Sequence, residues 1–190
     1  MKSWRTSSAL VLAASVATLI SGCGGPKESP AAGNAPPTAE VAPTAKKEIT
    51  LAKGWEIKDV LSAEEVGAIT GETMAIVPSP ESKAAEGRPT AAYETAGKLA
   101  SNINFSAAVG GGEKEFEGHK QWANAGSVQD VPGVGDKAYV CDVMTGVSAI
   151  VVLQGQDVVH VNWDPKLYDK LDKAEFGKKL AGKLLEKMYK

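Results

Sequence analysis

Three side chains are of the types from which a metal centre or a nucleophilic site is built: His119, His160 and Cys141. The first two are the only histidines of the chain, and Cys141 is one of two cysteines. Imidazole nitrogens and thiolates are the usual ligands of zinc, so the three could offer one ion three ligands. Nothing in their spacing demands that, and two partly exposed histidines are the plainer reading. Cys141 alternates with Tyr139 and Val143 in an apolar run. That pattern suits either a buried, inert thiol or, in an oxidising compartment, a redox or mixed-disulfide role. Gly110-Gly-Gly112 could bring backbone close to a phosphate, yet no Lys-Ser/Thr pair follows it, and it reads as a strand-to-helix turn. Gly-x-Ser-x-Gly, Ser-x-x-Lys, Cys-x-x-Cys, His-Glu-x-x-His, Walker A and EF-hand patterns are all missing from the sequence. The expectation is therefore a protein that is not an enzyme, with no catalytic residue, no metal, no cofactor and a ligand site still to be assigned.

The second cysteine carries different chemistry. Residues 1–22 contain no acid and two bases, Lys2 and Arg5, ahead of an apolar run from Ala9 to Ile20. A helix needs about 20 apolar residues to cross a hydrocarbon core of ~30 Å, so this run is too short to span one. A basic start, a short apolar middle and a small-residue end describe a secretory signal peptide. The end, Leu19-Ile20-Ser21-Gly22-Cys23, resembles the lipobox of bacterial lipoproteins. That resemblance implies cleavage after Gly22 and a diacylglyceryl group, joined by a fatty acid such as palmitate, on Cys23. The alternative is an ordinary signal peptide with a chance cysteine. Gly24 rather than Asp follows Cys23. This is similar to the pattern sorted to the outer membrane, on its periplasmic face, in Gram-negative lipoproteins. In a Gram-positive host the protein would sit on the outer face of its cell membrane. Two or more acyl chains hold stably where one binds marginally, so the expected partner is a membrane, reached through a lipid anchor.

Residues 24–50 hold five of the ten prolines and almost no large apolar side chains. Such a segment buries too little surface to offset its ordering entropy, so 23–50 is expected to be a disordered Pro/Ala-rich tether. Its reach runs from ~30 Å as a flexible coil to ~80 Å as extended polyproline II. Overall the 190 residues carry 21 bases and 23 acids, net charge -2, a balance that argues against nucleic acid as partner. The charge is uneven: residues 166–190 hold eight lysines and four acids. A lysine-faced terminal helix could touch anionic headgroups, or be a plain solvated face.

The remaining 51–190 read as a single α+β domain. Leu61-Ser62-Ala-Glu-Glu65-Val66 is a capping box with a hydrophobic staple, opening a helix that ends at Gly71. A short apolar piece, Met74–Val77, precedes a loop over 78–89. Tyr93 lies in a strand turned near Gly97 into a second one. In that second strand Leu99, Ile103, Phe105, Ala107 and Val109 alternate against Asn102, Asn104 and Ser106, the mark of a half-buried strand. A helix is predicted over 113–124. Strands follow over 137–144, 147–153 and 158–163; in the last, His160 points with Val158 and Asn162, opposite Val159, Val161 and Trp163. Leu171-Asp172-Lys-Ala-Glu175-Phe176 repeats the capping-box pattern, and Phe176, Leu180, Leu184 and Met188 form the apolar stripe of a terminal helix. Lys183, off that stripe, is expected to be solvated. Adjacent strands joined by short turns predict an antiparallel sheet of about five strands with helices packed on it.

The opening Leu-Ser-Ala-Glu-Glu-Val…Ile-Thr-Gly71 and the middle Val131-Pro-Gly-Val-Gly-Asp-Lys-Ala-Tyr139 resemble a group of exported bacterial lipoproteins of unknown function with a PsbP-like α+β domain. The likeness covers most of 55–190. Members often carry a cysteine just before the tyrosine of the first strand; Ala91 and Ala92 stand there in this chain, which removes that disulfide. The resemblance implies a non-catalytic envelope domain that binds a protein, or a lipid or other apolar ligand. An enzyme with a dispersed site and a structural part of an envelope assembly are the alternatives.

Overall fold

The computed structural model describes residues 51, 53–78, 82–97, 102–143 and 146–189, all within a compact unit, Pro43–Lys190. Residues 1–50, on which the expected signal peptide, lipidated Cys23 and tether fall, lie outside the described residues, as does Leu99.

Two short helices come first, α1 (Ile57–Val60) and α2 (Ala63–Thr70). The capping box at the start of α2 is formed in full: the Glu65 amide donates to Ser62 Oγ at 3.3 Å, and the Ser62 amide donates to Glu65 Oε2 at 3.1 Å. Leu61 and Val66 are both buried, as a staple requires. Gly71 ends the helix in the left-handed region, its N–H donating to Gly67 O. The strands are β1 (Met74–Val77), β2 (Thr90–Thr95), β3 (Asn102–Ala108), β4 (Gln129–Asp130), β5 (Lys137–Val143), β6 (Val147–Gln154) and β7 (Asp157–Trp163). Helix α3 (Gly112–His119) follows β3, and α4 (Lys173–Met188) follows β7. The strands form one antiparallel sheet in the order β1-β2-β3-β7-β6-β5-β4. Two meanders, β1–β3 and β4–β7, are thus joined where β3 meets β7.

The α+β class is as expected, but the sheet has seven strands and not about five. The additions are edges: β1 has four residues and β4 two, both exposed in β4, too short to show a period. The middle helix is also shorter than 113–124, ending at His119 and passing into a 3-10 turn, Lys120–Trp122.

Each face of the sheet has its own cover. On the first, Tyr93, Ile103, Phe105, Ile150, Val161 and Trp163 pack under α1, α2 and α4. The α4 stripe of Phe176, Leu180, Leu184 and Met188 is buried together with Ala181 and Leu185. Gly177 lets that helix come close: a Cβ there would lie 2.9 Å from Trp163 Cη2 and 3.0 Å from Ile150 Cβ. The Tyr93 hydroxyl donates to Leu61 O at 2.5 Å, tying sheet to helices. The Pro132-Gly-Val-Gly-Asp136 turn is explained by contact, since a Cβ on Gly135 would sit 2.4 Å from Val152 Cγ1.

Two details of α4 differ from expectation. Asp172 caps the helix by accepting from the Glu175 amide at 2.9 Å, but Glu175 turns to Lys178 at 3.9 Å and Leu171 stays 43% exposed. With a charged carboxylate already at the cap, a second one is repelled from it; at Ser62 the cap is neutral. Lys183 is not simply solvated. It lies 3.6 Å from Glu65 and 3.1 Å from Glu186, and Lys187 reaches the same Glu65 at 2.7 Å. Two lysines of α4 thereby clasp the first turn of α2. They hold the Glu65 carboxyl below its ordinary range, chiefly through the Lys187 bond.

Candidate functional site

The second face is covered over only half its width. Its side chains run across the strands in rows set by register. One row is Tyr139, Val151, His160, Ser106 and Thr90; the next is Cys141, Ala149, Asn162, Asn104 and Ala92. In each row the β5 and β6 members are buried in an apolar cluster, and polar side chains begin at β7. Helix α3 lies on the apolar half through Phe116. Its ring meets Tyr139 edge-on at 5.1 Å, and the Tyr139 hydroxyl donates to Phe116 O at 3.2 Å. Burial raises the Tyr139 phenol well above its usual range.

Beyond α3 a groove of about 560 Å³ lies open over β1, β2, β3 and β7, with Thr90, Asn102, Asn104, Ser106, His160 and Asn162 along it. It runs toward a smaller cavity of about 170 Å³ that shares Thr90, Ser106 and His160 and adds Arg88, Glu115 and His119. There the last turn of α3 sets the His119 ring over His160, with centroids 4.5 Å apart and planes tilted by 35°. Arg88 binds Glu115 with both nitrogens, at 2.9 and 3.2 Å, and Glu115 lies 3.8 Å from His119 Nε2. The Arg88 bond holds the Glu115 carboxyl low. Burial depresses His119, against the pull of Glu115. Burial, helped by His119, takes His160 down to about 3. Both imidazoles are therefore neutral near pH 7, and His160 offers one donor and one acceptor.

Two polar atoms in the groove are left over. Asn102 Oδ1 and Asn162 Oδ1 are buried and have no hydrogen-bond partner among the described residues. A buried acceptor without a donor costs about 1–3 kcal/mol, so such atoms mark where a bound group or water belongs.

Of the three side chains with metal-ligand chemistry, the structure unites two. His119 and His160 stack; Cys141 lies on β5, two strands from His160, and is 1% exposed among Tyr139 and Ala149. Among the described residues no three His, Cys, Asp or Glu side chains group as metal ligands. Cys141 is a free thiol, and burial pushes its pKa up, away from the reactive thiolate. The glycine triplet is a strand-to-helix turn whose amides are engaged. Gly110 N donates to Asp157 Oδ1 at 2.9 Å and Gly112 N to Gln156 O at 2.9 Å, so an acid occupies the place a phosphate would need.

The groove amides were only half visible in the sequence. Asn102, Asn104 and Ser106 showed as the outward stripe of one strand, and His160 with Asn162 as that of another. Their meeting depends on the β3–β7 pairing, which no local signal reports. Compared with family models, with curated proteins and with solved structures, the chain gives no match in any of the three.

Proposed function

We propose that this chain is a lipid-anchored envelope protein whose folded domain binds a ligand or partner and does not catalyse. The observation that carries the binding half is the groove on the open sheet face. The polar side chains along its broad part are amides, hydroxyls and an imidazole held neutral, beside apolar Val77 and Ala92, and two buried acceptors have no donor among the described residues. A histidine that titrates near 3 is poorly matched to proton transfer at neutral pH, which favours binding over acid–base chemistry. The groove's polarity directs the reading toward a polar ligand in place of an apolar or lipid one.

The anchoring half rests on Leu19-Ile20-Ser21-Gly22-Cys23 and the Pro/Ala-rich residues behind it. In a Gram-negative host Gly24 directs the protein to the periplasmic face of the outer membrane; otherwise it faces outward from the cell membrane. The PsbP-like kinship belongs to the same proposal. Its support is the two sequence motifs, Leu61–Gly71 and Val131–Tyr139. Palmitate labelling and cell fractionation of the full chain test the anchor. Wild type should label and sediment with membranes, and Cys23→Ser should do neither. Membrane association that survives Cys23→Ser would refute lipidation as the anchor.

A further inference from the structure

We propose that the open groove is a binding site for a neutral saccharide, read by the amide side chains of Asn102, Asn104 and Asn162. This deepens the binding-domain reading above and rests on it.

Charge is the first argument. The broad part of the groove is lined by Val77, Ala92, Thr90, Ser106 and the asparagines, with no ionised side chain among its lining residues. Among the described residues, charged groups stand around that lining and not in it. Arg88 and Glu115 pair with each other at one end, with Lys83 beside them, and Asp164 and Lys166 lie at the other. Glu94 stands opposite Asn102 on β2, and Glu56 and Lys58 line an adjoining cavity past Val77 and Thr90. An ionic ligand would leave water without a counter-charge, a cost that a neutral one avoids.

Hydrogen-bond supply is the second. Asn102 Oδ1 and Asn162 Oδ1 are acceptors without a donor among the described residues and have almost no accessible surface, so a ligand reaches them once the amides turn toward the groove, and one that brings O–H or N–H groups then satisfies them. Ser106 Oγ already donates to His160 O, at 3.5 Å, which leaves its oxygen free to accept as well.

Layout is the third. Asn104 and Asn162 stand directly opposite each other on β3 and β7, and Asn102 lies two residues along β3 on the same face. Cross-strand neighbours on one face are about 4.5–5.5 Å apart and i, i+2 neighbours about 7 Å. The acceptors thus spread in two dimensions over a sheet face. An extended peptide is recognised instead along a strand edge, through a one-dimensional backbone ladder. A ring bearing several hydroxyls presents donors in two dimensions, and Ala92 and Val77 give its C–H surface an apolar floor. The volume of about 560 Å³ falls within the range of small-ligand sites.

The test uses the full chain, ¹⁵N-labelled, in a detergent without sugar headgroups. Glucose, N-acetylglucosamine and a linear tetrasaccharide are titrated while the asparagine side-chain amide signals are followed; glucuronate and a glycine tripeptide amide serve as comparisons. Saturable shifts of Asn102, Asn104 and Asn162 with a neutral sugar are expected. Asn162→Leu and, as a milder change, Ser106→Ala should each weaken binding by at least about ten-fold. Tighter binding of the tetrasaccharide than of the single sugars would identify a glycan chain as the source, and the reverse a free sugar. No saturable shift with any neutral sugar overturns the proposal, as does equal binding of glucuronate or binding of the tripeptide alone. A silent groove in a protein that still loses its membrane anchor with Cys23→Ser sinks this inference and leaves the anchor standing. Saturable sugar binding with no labelling of Cys23 does the opposite.

Discussion

Acidification from about pH 7 to about pH 5 should destabilise the fold through His160. The unfolded imidazole takes up its proton near 6.5, whereas the folded one stays neutral down to about 3. Throughout that window the unfolded state binds more protons, so stability is complete above about 6.5 and falls as the pH falls. Each pH unit inside the window is worth about 1.4 kcal/mol, which gives roughly 2 kcal/mol by pH 5. His119, depressed by burial, adds to the loss with the same sign. The carboxylates held low, Glu65 by Lys187 and Glu115 by Arg88, lose their contributions only below about 4.5. The interval between 6.5 and 5 therefore isolates the histidines. Urea melts at several pH values supply the slope, and His160→Gln, which cannot protonate, should remove most of it. A wild-type stability flat across the interval, or a slope unchanged in His160→Gln, would refute the placement of a neutral imidazole beneath α3.

Two changes in α4 test how it docks. Leu184→Ala empties a fully buried position on the stripe and should cost about 2–5 kcal/mol in urea melts, against no more than ~1 kcal/mol for Lys183→Ala at the edge of the Glu65 clasp. Equal small losses would mean that α4 is not seated on the sheet. Gly177→Ala gains about 1 kcal/mol of helix propensity but drives a methyl toward Ile150 Cβ and the Trp163 ring, an overpacking cost of about 1–3 kcal/mol. The variant should come out less stable, and a raised melting temperature would contradict the close approach.

What could be read ahead of the structure followed the length of each signal. The α4 stripe repeats over four turns and was legible throughout, as was the Ser62–Glu65 box, where two short polar side chains stand at a fixed offset. The hairpin of β6 and β7 was legible because apolar runs flank Gly155, whose φ of +61° suits a tight turn. Edge strands escaped: four residues in β1 and two in β4 are recruited by a neighbour's unpaired backbone and not by a pattern of their own. The Asp172–Glu175 repeat of the box misled in part, since the pattern of residue types says nothing about which charge sits at the cap.

The site was less legible than the fold, and for a reason that lies in the sheet. An outward polar stripe such as Asn102, Asn104 and Ser106 is what any strand facing water would carry. It becomes a site only when a second polar stripe lies beside it and when cover is withheld. Both conditions are non-local. Ser106 and His160 are 54 residues apart in the chain and neighbours only because the two meanders join through β3 and β7. The cover stops where α3 stops, at His119, leaving β3 and the strands beyond it open. The groove is open above the asparagines, yet Asn102 Oδ1 and Asn162 Oδ1 are themselves buried and find no donor among the described residues, an arrangement that costs stability unless a bound group or water completes it. Neutral His160, sunk at the margin between covered and open halves, fits the same logic, because a charge there would have to be desolvated each time the groove filled.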